Sequence, residues 1–600
     1  MQAIILAAGM GKRLSDLTKD NTKCMVPVHD HLLIDYLLDS ISDVDLERIV
    51  IVVGYKAEGV INYLGSKYKN IPIHFVHNPD YNTTNNIYSL YLAKDYLQTD
   101  DTILLESDLI YDKKIIERLV SDPRPNLAVV DKYKPWMDGT VVKLDEDENI
   151  VNFIPKKEFN YAETDQYYKT VNIYKFSKKF SKEIYYPFLK AYSTALGLNE
   201  YYEQVLRVIA FIDKYEVKAM PLNGEKWYEI DDKQDLDNAK TVFSPKEKKL
   251  STFQKRYGGY WRYPELLDFC YLVNPYFPPV RMEEEIKNYF HRLLREYPSG
   301  ASIQGILAAT MFNCRENQIL VGNGAAELIP ALMQALPGKI GIITPTFNEY
   351  PERIAKDKLI TFSLPEDDFS YGIDFIIEQS SQIDSFILIN PDNPSGNLIP
   401  KEELLKLIAH FKKENKTLLV DESFVDFSEG NIKNSLICPK LMDENPHLIV
   451  VKSISKSYGV PGLRLGVMAT SNLLLLETVK KNLSIWNINS FGEFFLQIID
   501  KYQKDYINGC EMIANERTNF IKQLETIKYL KPLPSQANYI LCRVTGQHSS
   551  TELTTLLLDK YEIFIKDLTG KAGFPKSNYV RIAVRDRNDN NKLINALREL

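Results

Sequence analysis

Strand-sized apolar runs alternate with amphipathic helical stretches in two long tracts of this chain, and a single aperiodic stretch parts them. The first tract opens with the apolar run 3–7 and continues through 48–53 and 102–105; the second runs through 340–343, 385–389, 417–420 and 447–451. Between them, from Ser244, SPKEKKLSTFQKRYGGYWRYP carries a charge run, a glycine pair and aromatic residues with no period. Strands alternating with helices build mostly parallel sheets, so the pattern predicts two α/β domains, residues 1–245 and 246–600. Length points the same way, since a chain of 600 residues exceeds the roughly 250 to 300 at which a single core stops growing.

A formal charge of −7 offers no broad basic face to a nucleic acid backbone or an anionic membrane, so anionic substrates must be captured by local sites. No apolar run approaches the roughly 20 residues that span a bilayer. Six cysteines, Cys24, Cys270, Cys314, Cys438, Cys510 and Cys542, lie far apart without a CxxC spacing and with no leader pattern ahead of them. They are expected to be buried thiols in a reducing cytoplasm.

Directly after the first strand run comes Leu6-Ala7-Ala8-Gly9-Met10-Gly11-Lys12-Arg13. Residues without bulk let backbone N–H groups approach a triphosphate, and two cations follow, which is the physics of a phosphate cradle. The spacing is neither that of a Walker loop nor that of the dinucleotide fingerprint. Further on stand Lys23 in NTKCMVPV, Asp108 in LLESDL, and Glu229 and Asp231 in KWYEIDDKQDL. Taken together these motifs resemble the nucleoside-triphosphate transferase family. The resemblance implies that the glycine loop and Lys23 hold the nucleotide phosphates and that Asp108, with Glu229, Asp231 or both, holds magnesium. Attack on an α-phosphate needs its charge neutralised, and magnesium prefers hard carboxylate oxygens.

Within that family, NPDYNTTNNIYSLYLA, DKYKPWMDGTVV and WYEIDD are most similar to bacterial phosphocholine-type cytidylyltransferases, a resemblance that covers essentially the whole first domain and implies CTP as the nucleotide. Trp136 beside Asp138 offers a π face and a carboxylate to an ammonium group, as a zwitterionic aminoalkyl phosphate or phosphonate requires. Asn82 and Asn85 are candidates for polar contacts near the nucleotide.

In the second tract, Ser453-Ile-Ser-Lys456-Ser-Tyr-Gly459 followed by Pro461-Gly-Leu-Arg464-Leu-Gly466 resembles the Schiff-base segment of fold-type I pyridoxal-phosphate aminotransferases, nearest to the histidinol-phosphate aminotransferase and threonine-phosphate decarboxylase branch. The resemblance implies a large α/β domain with a smaller one beside it, Lys456 as the lysine that takes pyridoxal 5'-phosphate, and Ser453 and Arg464 on the cofactor phosphate. LLVDESFVDF puts Asp421 at the end of an apolar strand, where a carboxylate keeps the pyridine nitrogen protonated. NPDNPSG supplies Asn393 for the ring hydroxyl, PTFNEY supplies Phe347 to stack on the ring, and GNGAAELI supplies Gly324, Ala325 and Ala326 at a helix start facing the phosphate. Where the family usually has a tyrosine, three residues after Asp421, this chain has Phe424. Arg581 matches the arginine that clamps a substrate carboxylate, and Arg585 is a candidate for an anionic tail. Asn274 matches the family's substrate-side segment. Tyr297 matches the tyrosine lent to the neighbouring subunit's cofactor, so a homodimer through the second domain is implied.

Pyridoxal phosphate acts on primary amines, and a quaternary choline cannot form an imine. A fusion in which one domain makes what the other consumes therefore points to 2-aminoethylphosphonate: a cytidylyltransferase for it joined to its transaminase. The alternative is a phosphocholine or phosphoethanolamine cytidylyltransferase joined to a phospho-amino-acid decarboxylase or histidinol-phosphate-type aminotransferase.

Overall fold

The computed structural model describes residues 1–212, 216–364, 369–574 and 578–600. It comprises two compact units, Met1–Tyr263 and Pro264–Leu600. Among the described residues no helix is long and apolar enough to cross a membrane. Four of the six cysteines are buried, but Cys314 is half-buried and Cys438 exposed, so the expectation of uniformly buried thiols does not hold.

The first unit is organised on a ten-stranded sheet. Thr102–Glu106, Gln2–Ala7, Arg48–Val53 and Ile71–His77 lie side by side and parallel. Every residue of Gln2–Ala7 is buried, as expected of a parallel strand covered on both faces. Tyr168–Phe176 adds to the other edge of Thr102–Glu106 in the antiparallel sense, making the sheet mixed. A separate ribbon pairs Trp227–Glu229 with Leu109–Tyr111, Glu229 opposite Leu109. The Ile230 N–H donates to the Asp108 carbonyl (2.9 Å), so two acidic motifs more than a hundred residues apart in sequence share one edge.

The charged run after Ser244 is not a linker. It forms the helix Lys246–Arg256 with Lys249, Leu250 and Phe253 buried, an i, i+3 stripe that needs a core to face. The Arg256 guanidinium donates to the Asp237 carbonyl (3.0 Å), and the Tyr263 hydroxyl donates to the Asn238 side chain (3.3 Å). The units therefore divide at Tyr263/Pro264, eighteen or so residues beyond the break expected at 245/246.

The second unit holds a seven-stranded sheet in the order Ile319–Asn323, Leu465–Ala469, Leu448–Ser453, Thr417–Asp421, Ser385–Ile389, Ile340–Thr344, Leu359–Ser363. Only Leu465–Ala469 runs against its neighbours. A smaller four-stranded antiparallel sheet, Leu530–Pro532, Tyr539–Val544, Tyr579–Ala583 and Lys566–Asp567, stands apart from it. Asp421 and Ser453 are the last residues of adjacent parallel strands, the edge where open α/β sheets bind ligands.

Candidate functional site

In the first unit, the loop after Gln2–Ala7 turns through Gly11 at φ 61°. A Cβ added there would meet Thr18 Cγ2 at 3.0 Å and Lys23 Cβ at 3.1 Å, so the turn needs glycine for conformation and for space. The Thr22 hydroxyl donates to the Gly9 carbonyl (3.2 Å) and that of Thr18 to the Gly11 carbonyl (2.9 Å). The loop opens on a cavity of about 690 Å³, to which Leu6, Ala8, Gly9, Gly11, Lys12 and Arg13 contribute, as do Asn82 and Asn85. Ala7 instead faces the core, 2% exposed. Asn85 also caps the helix Asn86–Leu92 through its side-chain oxygen.

Lys23 sits between the acidic motifs. Its Nζ lies 2.6 Å from Asp108 Oδ2 and 2.7 Å from Asp231 Oδ1, and Arg13 adds a contact to Asp231 at 3.1 Å. Burial opposes the charge on Lys23, but the two carboxylates more than offset it and hold its pKa above the ordinary value. Of the two late acids left open as partners of Asp108, Asp231 shares the Lys23 ammonium with it, whereas Glu229 turns to Lys169 (3.3 Å) and accepts from Asn172 (3.1 Å). Burial pushes Glu229 up to about 7, Lys169 opposing and Asp108 and Asp231 adding to the shift. Among the described residues no group of three or more His, Cys, Asp and Glu side chains is placed to hold a metal. The residues nonetheless fit a hard cation, because Asp108 and Asp231 already share the Lys23 ammonium and Asp108 Oδ1 is buried without a hydrogen-bond partner among the described residues. Magnesium needs only one or two protein carboxylates when phosphates supply the rest.

Trp136 departs from its expected role. It stacks on Tyr228 (ring centroids 4.3 Å, 9° between planes), packs against Trp227 at 5.3 Å, and is not among the residues lining the cavity. Asp138 does line it, but is half-exposed and paired with Lys156 at 2.6 Å. No aromatic cage is formed by this pair. Lys169, Asn172 and Glu203 line the cavity and carry no local signal, since the strand Tyr168–Phe176 brings the first two there and the start of the helix Glu203–Ile212 the third.

In the second unit, Lys456 lies one turn past Ser453 in the short helix Ile454–Ser457. Its Nζ rests 4.4 Å from the centre of the Phe424 ring and 5.1 Å from that of Phe347. Phe424, standing where the family carries a tyrosine, thus gives the amine an apolar neighbour. Burial lowers the Lys456 pKa to about 8, Asp421 opposing and Arg581 and Arg464 assisting. Asp421 is held by two donors, the Ser423 N–H on Oδ1 (2.9 Å) and the Tyr350 hydroxyl on Oδ2 (2.7 Å). Tyr350 was missed; the signal was its place three residues after Phe347, one helical turn along the same segment.

Asn393 accepts from Arg581 (2.8 Å), whose other terminal nitrogen donates to the Cys270 carbonyl (2.9 Å); Arg581 Nε is buried and has no hydrogen-bond partner among the described residues. Gly324 starts the helix Ala325–Ala335 at φ 73°, and a Cβ there would come within 2.9 Å of the Arg464 guanidinium. A Cβ on Gly466 would strike the Ala325 nitrogen at 2.2 Å, so the loop of Gly324, Ala325 and Ala326 is pressed against the strand that follows Arg464. Ser453 is buried at this edge, its N–H donating to Ser423 (3.0 Å). A buried amine, a strand-end carboxylate, a free guanidinium N–H and a glycine cradle at a helix start fit pyridoxal phosphate.

Two assignments change. Arg585 is committed to Asp589 (2.9 Å) and the Asp268 carbonyl (2.9 Å), an i, i+4 ion pair and a brace rather than a free anion hook. Asn274 donates to the Ser457 carbonyl (3.0 Å) and accepts from the Tyr276 N–H (3.0 Å), while its own N–H donates to the Lys456 carbonyl (3.1 Å). It fastens the lysine turn instead of presenting an amide to substrate. Tyr297 is 78% exposed and stacks on Trp486 at 4.4 Å.

The lowered Lys456 pKa carries a prediction. The neutral amine is the nucleophile that captures an aldehyde, so uptake of pyridoxal phosphate by cofactor-free protein should accelerate with pH and level off above about 8. Visible absorbance follows it; a rate still rising tenfold per pH unit towards the ordinary lysine value would refute the assignment.

Residues 2–241 match the family described as nucleotidyl transferase, and residues 282–597 that described as aminotransferase class I and II. A CMP-5'-(3-aminopropyl)phosphonate synthase of Streptomyces rubellomurinus is 30% identical over 603 aligned residues, covering 100% of this chain and 95% of the relative. An L-serine phosphate decarboxylase of Sulfurospirillum multivorans is 31% identical over 351 residues, 56% of this chain and 88% of its own. The crystal structure of the histidinol-phosphate aminotransferase of Clostridium acetobutylicum matches with a TM-score of 0.50 at 26% identity, covering 56% of this chain and 98% of that one.

Proposed function

We propose, for a chain that belongs to the class I and II aminotransferase family and carries a nucleotidyl transferase domain ahead of that region, a bifunctional enzyme of phosphonate assembly. The second domain transfers an amino group from an amino-acid donor to phosphonoacetaldehyde, and the first joins the resulting 2-aminoethylphosphonate to CTP. The products are CMP-2-aminoethylphosphonate and pyrophosphate. The observation that carries this reading is the end-to-end similarity to a relative whose name is that of a CMP-aminoalkylphosphonate synthase.

In the first domain a phosphonate oxygen attacks the α-phosphorus of CTP, and the bond from that phosphorus to the oxygen bridging the β-phosphorus breaks, so pyrophosphate leaves with the electron pair. The backbone N–H groups of the Gly9–Arg13 loop, with Lys12 and Arg13, would cradle the phosphates, and Lys23 would offset the charge that grows on them. Asp108 and Asp231 would hold magnesium, whose Lewis acidity completes the neutralisation. In the second domain Asp421 would hold the pyridine nitrogen protonated, and Arg581 the donor carboxylate. Lys456 would take the proton from the donor carbon and return it on the acceptor side. Pyridoxal phosphate, when bound, supplies the electron-withdrawing ring. Pairing of two subunits through the second domain, with Tyr297 reaching the neighbour's cofactor phosphate, is part of the proposal.

Incubation of the protein with CTP, magnesium and 2-aminoethylphosphonate should release pyrophosphate. Much faster turnover of phosphocholine would reject the first-domain assignment. The serine phosphate decarboxylase relative favours a second reading, in which the second domain removes carbon dioxide from a phosphorylated hydroxyamino acid. Carbon dioxide from phosphoserine or phosphothreonine would establish it; a cofactor absorbance change with amino donor alone, without gas, would exclude it.

A further inference from the structure

The first-domain cavity has a negative wall that phosphate binding does not call for. Glu106, Glu203 and Glu229 line it together with Tyr201 and Gln204. Their oxygens are not equally engaged. Glu229 is taken by Lys169 and Asn172, and Glu106 accepts from Asn86 (2.9 Å). Glu203, the first residue of the helix Glu203–Ile212, is 6% exposed, and its Oε2 is buried with no hydrogen-bond partner among the described residues. Its place is fixed: Asn86 donates to Glu106 and accepts from the Tyr202 N–H (3.0 Å), pinning the start of this helix to the end of the strand Thr102–Glu106. A buried carboxylate oxygen without a donor is costly, and a cationic ligand that brings N–H groups removes that cost.

We infer that Glu203 is the seat of the acceptor's ammonium group and that it selects a primary amine. The inference rests on the nucleotidyl-transfer reading of this cavity. A primary ammonium brings charge and three N–H donors to the vacant oxygen, whereas a quaternary ammonium brings charge and none. The Trp136 face that would suit a quaternary group is withdrawn, since it is stacked on Tyr228. Phosphate capture at one end by the Gly9–Arg13 loop and amine capture at the other by Glu203 would then set the class of acceptor as a short aminoalkyl phosphonate or phosphate.

The test compares parent, Glu203→Gln and Glu203→Asp by pyrophosphate release with CTP, magnesium and either 2-aminoethylphosphonate or its N-trimethyl analogue. Glu203→Gln should raise KM for the primary amine by about 10- to 100-fold, with KM for CTP nearly unmoved and kcat changed far less, and Glu203→Asp should fall between. Preserved CTP binding reports a folded cavity. An unchanged KM for the amine in Glu203→Gln overturns this inference alone; a parent that prefers the trimethyl analogue overturns it together with the assignment of 2-aminoethylphosphonate as acceptor. A parent that releases pyrophosphate with neither acceptor overturns the functional reading as well.

Discussion

Lys456→Ala should abolish amino-group turnover, by at least about a thousandfold from the lost proton transfer alone, while CTP-dependent pyrophosphate release stays within about twofold because the two units do not share this residue. The lysine is buried where burial lowers its pKa to about 8, over Phe424 and Phe347. Alanine leaves Asp421 and Arg581 in place, so a loss of turnover with cofactor phosphate still bound would separate chemistry from binding. The visible band of the lysine-linked cofactor should vanish as well. Lys456→Met adds a thermodynamic check. An amine that binds protons more weakly folded than unfolded leaves the unfolded chain holding more protons between the two values, so the stability this site contributes rises with pH between about 8 and 10.5. In cofactor-free protein that contribution is on the order of 3 kcal/mol, and the methionine variant should lack it. Retention of turnover in Lys456→Ala, or identical pH slopes for parent and Lys456→Met, would remove Lys456 from its assigned place.

What the sequence exposes is chemistry carried on short, local patterns. The turn at Gly11 and the strand end at Asp421 lie where an apolar run stops, and a strand's carboxyl end is where a parallel sheet presents its loops. The hidden part is whatever a distant partner decides. Trp136 reads as an available aromatic face until the ribbon Trp227–Glu229 lays Tyr228 across it. Arg585 reads as a free cation until the helix that follows it supplies Asp589 and a segment 317 residues away supplies the Asp268 carbonyl. Asn274 is fixed by the Ser457 carbonyl, 183 residues on. Glu203 belongs to no local motif, and it is Asn86, tying the start of its helix to the sheet, that places it where one of its oxygens is buried without a hydrogen-bond partner among the described residues. Leu250 and Phe253 at i, i+3 within the charged run mark a helix with a buried side, which carries the first unit on to Tyr263.

The same kind of distant convergence governs the second large effect, Lys23→Ala. Its Nζ holds Asp108 and Asp231 together at 2.6 and 2.7 Å; without it two carboxylates face one another, with the exposed Arg13 on Asp231 and Lys169 acting from further off. CTP-dependent pyrophosphate release should fall by about 100- to 1,000-fold, the cost of removing one preorganised group that meets growing phosphate charge, with the cofactor absorbance of the second domain unaltered. Repulsion between the carboxylates predicts a second result that a merely structural lysine would not give. Magnesium alone should raise the melting temperature of Lys23→Ala more than that of the parent, because in the variant the dication takes a position the ammonium no longer contests. Activity within tenfold of the parent, or equal magnesium responses, would mean that the lysine bridging the acidic pair takes no part in handling the nucleotide and its metal.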